Sequence, residues 1–298
     1  MGGCDGRSRA RGAAQALLVL VALVACHAHA GDAAGDAAAA ADATATPWVF
    51  ADTPAWQDEF DYEGMPDPAR WSHDVGGDGW YNNELQYYTD RPANAFVGDG
   101  LLTIVAHRQR AGKRRFSSAR LVTRGKGDFL YGRIEIRARL PIARGSWPAL
   151  WMLPSDDRYG HWPRSGEIDI MEHVGFDPGV VHQTVHTQAY NHRIGTQRAA
   201  QKRVETLNTH FHRYRVDWTP DHIHGYIDDE PVFAFANEGT GVDAWPFDQR
   251  FHLLMNLAVG GDWGGVKGVD ESAFPIWMEV DYVRVYPLEN APDPDARP

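Results

Sequence analysis

Three carboxylates stand within six residues in Ser165-Gly166-Glu167-Ile168-Asp169-Ile170-Met171-Glu172-His173. Over Glu167 to Ile170, acids and isoleucines alternate. That is the period of a strand with acids on one face and apolar residues on the other. Glu172 falls out of step, because at period two it would share the face of Ile168 and Ile170. A bulge at Ile170-Met171 would return it to the acidic face, and bulges are frequent beside active sites. Breaking a glycosidic bond requires one carboxylate to attack and one carboxylic acid to protonate the leaving oxygen. Retaining enzymes hold these two carboxyls ~5–5.5 Å apart. Five straight strand steps would separate the Cα atoms of Glu167 and Glu172 by ~16 Å, so the bulge, strand coiling and side chains leaning together must close the gap. Crowded like charges raise the pKa of one glutamate and keep it protonated as the acid. Asp169 can hydrogen-bond or repel either. The alternative is a solvated strand face that happens to be acidic.

The wider stretch Trp162-Pro163-Arg164-Ser165-Gly166-Glu167-Ile168-Asp169-Ile170-Met171-Glu172 resembles the active-site strand of family 16 glycoside hydrolases. It has the longer, bulged form of the laminarinase-like members. The resemblance runs from about Trp48 to Tyr286. It takes in Trp80-Tyr81-Asn82-Asn83-Glu84-Leu85-Gln86-Tyr87-Tyr88-Thr89, Trp147-Pro148-Ala149-Leu150-Trp151-Met152-Leu153-Pro154 and Val280-Asp281-Tyr282-Val283-Arg284-Val285-Tyr286. It implies an all-β jelly-roll sandwich of two antiparallel sheets, the concanavalin A-like lectin/glucanase fold. It also implies retaining hydrolysis of β-linked glucans without a catalytic cofactor, with Glu167 as nucleophile, Glu172 as acid/base and Asp169 as their partner. By the same resemblance Asn82 meets sugar hydroxyls and His186 is a cleft histidine. A structural Ca²⁺ on the convex side would draw on Glu59, Gly100 and Asp281, with waters completing the ~6–8 oxygens calcium takes.

The elements that must position these groups read as strands. Asn82, Glu84 and Gln86 alternate with Leu85 and Tyr87, giving a strand with a polar face. Arg133, Glu135, Arg137 and Arg139 alternate with Ile134, Ile136, Ala138 and Leu140, and the charged face reads as solvent-facing. Trp147, Ala149 and Trp151 share one strand face, a stacking platform for sugar rings beside the cleft. His182 and His186 are at i, i+4, a zinc spacing on a helix, but Val-rich Val180–Ala189 reads as a strand and lacks Asp/Glu neighbours at ligand spacing. Phe211–Trp218 and His222–Ile227 flank a Thr-Pro-Asp turn as a hairpin. Gly260-Gly261-Asp262-Trp263-Gly264-Gly265 lacks the Lys-Ser/Thr of a phosphate loop, so Trp263 reads as sugar-facing. No segment sustains helical periodicity, which argues for two packed antiparallel sheets.

The chain has 298 residues and a formal net charge of -11, which makes nucleic acid and anionic membrane surfaces poor partners. Its two cysteines, Cys4 and Cys26, lie in or beside an N-terminal leader, so the domain has no disulfide framework. Arg7, Arg9 and Arg11 precede the apolar run Ala13–Ala25, too short for a transmembrane span, and residues 1–25 read as a signal peptide. Ala28-His29-Ala30 suits signal-peptidase release. Leu23-Val24-Ala25-Cys26 suits a lipobox, with Cys26 as the lipid anchor of an outer-membrane or cell-surface protein, and this reading is favoured. Residues 26–46 form an Ala-rich tether, 47–288 the catalytic domain, and 289–298 a Pro/Asp-rich disordered tail.

An endo-acting β-1,3-glucanase, working as a monomer on laminarin- or curdlan-type polysaccharide, is the leading expectation. A non-catalytic glucan-binding module on the same fold would have no need of all three acids. A family 16 enzyme for mixed-linkage glucan, agar or carrageenan is the third. The acidic surface counts against sulfated galactans, since an anionic polymer favours a basic groove.

Overall fold

The computed structural model describes residues 47–291. The leader, Cys26, the tether and the last residues of the tail lie outside the described residues, and so do the readings made of them. Within the described residues the helical elements are two 3₁₀ segments, His192–Ile194 and Glu271–Ala273. None is long and apolar enough to cross a membrane.

Two eight-stranded sheets and one two-stranded sheet hold the strands. The outer sheet runs Glu230–Ala236, His222–Ile227, His212–Trp218, Gly132–Arg139, Ile276–Tyr286, Leu101–Ala106 and Ala95–Gly98, with Trp56–Asp58 also on Ile276–Tyr286. The sheet that carries the acids runs Arg198–Arg203, Val180–His186, Glu167–His173, Ser146–Pro154, Phe251–Val259, Arg120–Val122 and Ser72–His73, with Asp128–Phe129 also on Phe251–Val259. Both are antiparallel, as expected of a jelly-roll sandwich. The core between them follows from strand alternation. Ile134, Ile136, Met278 and Val280 of the outer sheet and Ile170, Met171, Met255 and Leu257 of the other are all fully buried.

Three expectations are corrected. The strand read over Asn82–Tyr87 begins only at Gln86, because Trp80, Tyr81 and Asn83 take left-handed φ of 50°, 64° and 54° and make a turn instead. The strand that follows, Gln86–Tyr88, pairs in parallel with Phe116–Ser118. The charged face of Gly132–Arg139 is not plain solvent surface. Arg133 donates to Asp217 at 2.8 and 2.9 Å, Arg137 and Arg139 pair with Asp281 and Glu279, and Tyr282 donates to Glu135 at 2.7 Å. Cross-strand neighbours of opposite charge are the reason. Lastly, Glu289 N–H reaches Val49 O at 2.8 Å and Asn290 Nδ2 reaches Pro47 O at 3.0 Å, so pairing continues past 288.

Candidate active site

The acidic strand Glu167–His173 lies between Ser146–Pro154 and Val180–His186. Asp169 pairs with Trp151 and Glu172 with Ala149, while Ile168 and Met171 pair with Met152 and Leu150. Residues directly opposite share a face, and Ala149 and Trp151 are two apart, so Asp169 and Glu172 point the same way. Two residues, Ile170 and Met171, stand opposite Gln183 alone, between the Asp169–Thr184 and Glu172–His182 pairs. This is the bulge that the misplaced Glu172 requires. Gln183 fills it, donating from Nε2 to Ile170 O at 2.8 Å. Gly225, on the outer sheet, leaves the room: a Cβ there would sit 2.4 Å from Gln183 Oε1.

Each glutamate is held by an indole. Trp162 Nε1 donates to Glu167 Oε2 at 2.8 Å, and Trp147 Nε1 donates to Glu172 Oε1 at 3.0 Å. Burial raises both carboxyls to about 7, and the nearby Glu172 charge adds to the rise at Glu167. Asp169, only 3% exposed, is pushed well above the usual carboxylate range by burial and then by the charges of Glu167 and Glu172. A protonated Asp169 can donate to Glu167 and favour its anion. His186 Nε2 lies 3.5 Å from Asp169 Oδ2 and 3.8 Å from Glu167 Oε1. Burial holds this imidazole down to about 3, so it is neutral.

Aromatic groups gather at both ends of the row of acids. Beside Glu172, Trp147 meets Trp263 edge-on at 5.5 Å, and His182 meets Trp263 at 5.0 Å. Trp263 rides on the glycine-rich loop. Gly261 has φ 81°, and a Cβ on Gly264 would lie 2.9 Å from Trp147 Cβ. Asn82 O accepts from Asp262 N at 2.7 Å, which places Asn82 against that loop. Beside Glu167, Trp162 packs against His186 and His192 at 6.0 and 5.1 Å, with the Arg193 guanidinium 4.5 Å from its ring centre. Trp151 stands opposite Asp169, on the face of the acids. Its ring carries Arg120 at 4.9 Å, Arg120 also lies 4.7 Å from Trp80, and Trp151 Nε1 donates to Asn256 at 2.7 Å.

No pattern in the sequence marks Trp162, His192 or Arg120 for the roles they take here. Trp162 lay inside the quoted motif, but nothing in its spacing showed that its N–H would reach Glu167. Glu84, read as strand surface, is buried. Gln86 Nε2 and Tyr88 OH donate to it at 2.5 and 3.2 Å, and burial raises its pKa. Of the three expected calcium ligands, Glu59 receives both Arg284 bonds at 2.8 and 2.7 Å, and Asp281 is paired with Arg137. Gly100 offers only its carbonyl.

A row of carboxyls, Asp169 buried and the two glutamates half-buried with one indole on each, suits acid-assisted displacement at a sugar. The sequence profile described as glycosyl hydrolases family 16 matches residues 79–284, more than half of the chain, and spans the entire cleft. The chain belongs to glycosyl hydrolase family 16. A β-glucanase of Rhodothermus marinus is 59% identical over 239 residues, covering 78% of this chain and 84% of that protein. A glucan endo-1,3-β-glucosidase of Cryptopygus antarcticus is 38% identical over 249 residues, covering 77% and 90%. The X-ray structure of the laminarinase from Rhodothermus marinus superposes with a TM-score of 0.79 at 56% identity, covering 82% of this chain and 99% of that one. Like other members of family 16, this chain is a glycoside hydrolase.

Proposed function

We propose that this family 16 enzyme cleaves internal β-1,3-glucosidic bonds of β-glucans with retention. The observation that carries the reading is the acidic strand, with Glu167 and Glu172 on either side of Asp169 and each fixed by a tryptophan N–H. The relatives' substrates, as their names give them, supply the glucan. Glu167 is the nucleophile: each glutamate accepts an indole bond, but Glu167 alone also has a protonated Asp169 beside it, which favours its anion. Glu172 is the acid/base: burial raises its carboxyl as it raises that of Glu167, but no neighbouring acid donates to it, so its proton stays available near neutral pH. As Glu167 displaces the leaving sugar, Glu172 gives its proton to the leaving oxygen, and as the carboxylate it then takes a proton from the water that releases the glycosyl group from Glu167. Incubation with laminarin and curdlan should release short oligosaccharides of retained configuration. Release from agar or mixed-linkage glucan alone would overturn the linkage assignment.

Two finer proposals come with this reading. The first is a structural Ca²⁺ on the outer sheet. Asp281 drops out of the ladder with Gly132–Arg139 at the bulge between Val280 and Tyr282, and the same strand pairs through Val280 and Val283 with Leu102 and Asp58, whose segments carry Gly100 and Glu59. With the carboxylates engaged by arginines, the backbone carbonyls of Glu59 and Gly100 are the donors that fit, and Asp281 would exchange Arg137 for the ion. Chelator should then lower the Tm with little loss of activity at moderate temperature. An unchanged Tm would count against it. The second is export with lipidation at Cys26. Cys26→Ala should shift the protein from membrane to soluble fraction, and an N-terminus at Gly31 in the wild type would refute it.

A further inference from the structure

We infer that Glu167, Asp169 and His186 form an inhibitory site for a borderline divalent cation such as Zn²⁺, built into the cleft floor. One ligand atom from each of the three lies within 4.8 Å of the others. His186 Nε2 stands 3.5 and 3.8 Å from the nearest oxygens of Asp169 and Glu167. Ligands ~2.1 Å from a tetrahedral zinc are ~3.4 Å from one another, so small side-chain adjustments bring the set into range.

The carboxylate of Asp169 is an independent pointer. Asp169 is 3% exposed, and its Oδ2 has no hydrogen-bond partner although it faces the imidazole. A buried acceptor left unpaired is costly, and a cation between it and Nε2 would satisfy it. Trp162 donates to the other oxygen of Glu167, Oε2, and could keep that bond with a metal on Oε1. The half-buried Glu167 side leaves the fourth position to water.

The donor set selects the ion. Two carboxylates and one imidazole suit Zn²⁺ or Cu²⁺, whereas Mg²⁺ and Ca²⁺ prefer all-oxygen shells of higher coordination. The surroundings mark a reversible inhibitor rather than a resident cofactor. A metal-bound histidine usually donates its other N–H to an acceptor, yet His186 Nδ1 is buried without one. Zinc there would occupy the carboxylate that must attack the sugar. That part rests on the assignment of Glu167 as nucleophile, whereas metal uptake does not.

The test uses the full chain, stripped of metal and titrated with ZnCl₂ in a calorimeter. His186→Gln, with unchanged circular dichroism, should weaken one Zn²⁺ site at least ~10-fold. His222→Gln on the outer sheet should leave that site intact. On the unaltered chain, Co²⁺ should give the strong visible absorption of a tetrahedral site, and saturating laminari-oligosaccharide should abolish it. Uptake that folded His186→Gln leaves unchanged, displacement by equal Mg²⁺, or a cobalt spectrum indifferent to oligosaccharide would overturn the site. In the kinetic arm, Zn²⁺ should raise the apparent KM for laminarin with kcat unchanged. Zinc bound at His186 without inhibition would overturn the inhibitory role and, separately, the assignment of Glu167.

Discussion

Trp162 donates its indole N–H to Glu167 Oε2 at 2.8 Å. The bond favours the carboxylate over the acid, working against the burial that raises Glu167 to about 7. Hydrogen bonds to charged groups contribute ~1.5–3 kcal/mol, so Trp162→Phe should lower kcat/KM by roughly 10–100-fold. The sign of the pH effect follows. Losing the donor raises the pKa of Glu167, so the acidic limb of the kcat/KM profile should move to higher pH. A loss of rate with no movement of that limb would assign Trp162 to sugar stacking alone.

Burial of the acids also makes stability depend on pH. Burial lifts the titration of the Glu167–Glu172 pair to about 7, whereas an unfolded glutamate releases its proton near ~4.3. Between these values the native state binds more protons, so stability falls as pH rises. Glu172→Gln removes one buried charge. Its Tm relative to wild type should therefore be more favourable at pH 8 than at pH 5, by some degrees at ~2–4 °C per kcal/mol. An offset independent of pH would show that Glu172 is not perturbed.

Gln183 places its side-chain amide in the bulge, 2.8 Å from Ile170 O, while its own Oε1 is buried without a partner. Gln183→Leu loses the bond and the unsatisfied acceptor together, and the two losses oppose each other in the Tm. Positioning has no such offset, because the bulge sets Glu172 relative to Asp169. kcat should fall at least ~10-fold with a Tm change of only a few degrees. Unchanged kcat in the folded variant would mean the bulge holds itself.

How legible this was depended on whether the signal was periodic. Alternation marked both sheets, and one residue out of step, Glu172, was enough to locate the bulge. Alternation also misled at Asn82 to Gln86, where left-handed φ at Trp80, Tyr81 and Asn83 makes a turn of residues that read as a strand. Burial of Glu84 was hidden because one of its donors, Gln86, ends the misread stretch and the other, Tyr88, lies just beyond it. Arg120 sits between two indoles that lie far apart in sequence, Trp80 and Trp151, and no local pattern encodes such a sandwich. His186 was placed by resemblance, but its approach to Asp169 depends on strand register, which only the fold supplies.

The division of labour between the glutamates has a stereochemical consequence. In double displacement the nucleophile attacks opposite the leaving oxygen, and the acid/base later activates water on the vacated face. Replace Glu172 with Ala and supply a substrate with a good leaving group. Attack by Glu167 no longer needs an acid, so the glycosyl-enzyme forms and then stalls. Azide, small enough for the space left beneath Trp147, should restore turnover and give the β-glycosyl azide with retained configuration. Replace Glu167 with Ala instead, and azide fills the nucleophile's place beside Trp162. A β-donor should then give the inverted α-azide, and an α-fluoride becomes the better donor for coupling. Exchange of these two products between the variants would mean that Glu167 is the acid/base and Glu172 the nucleophile.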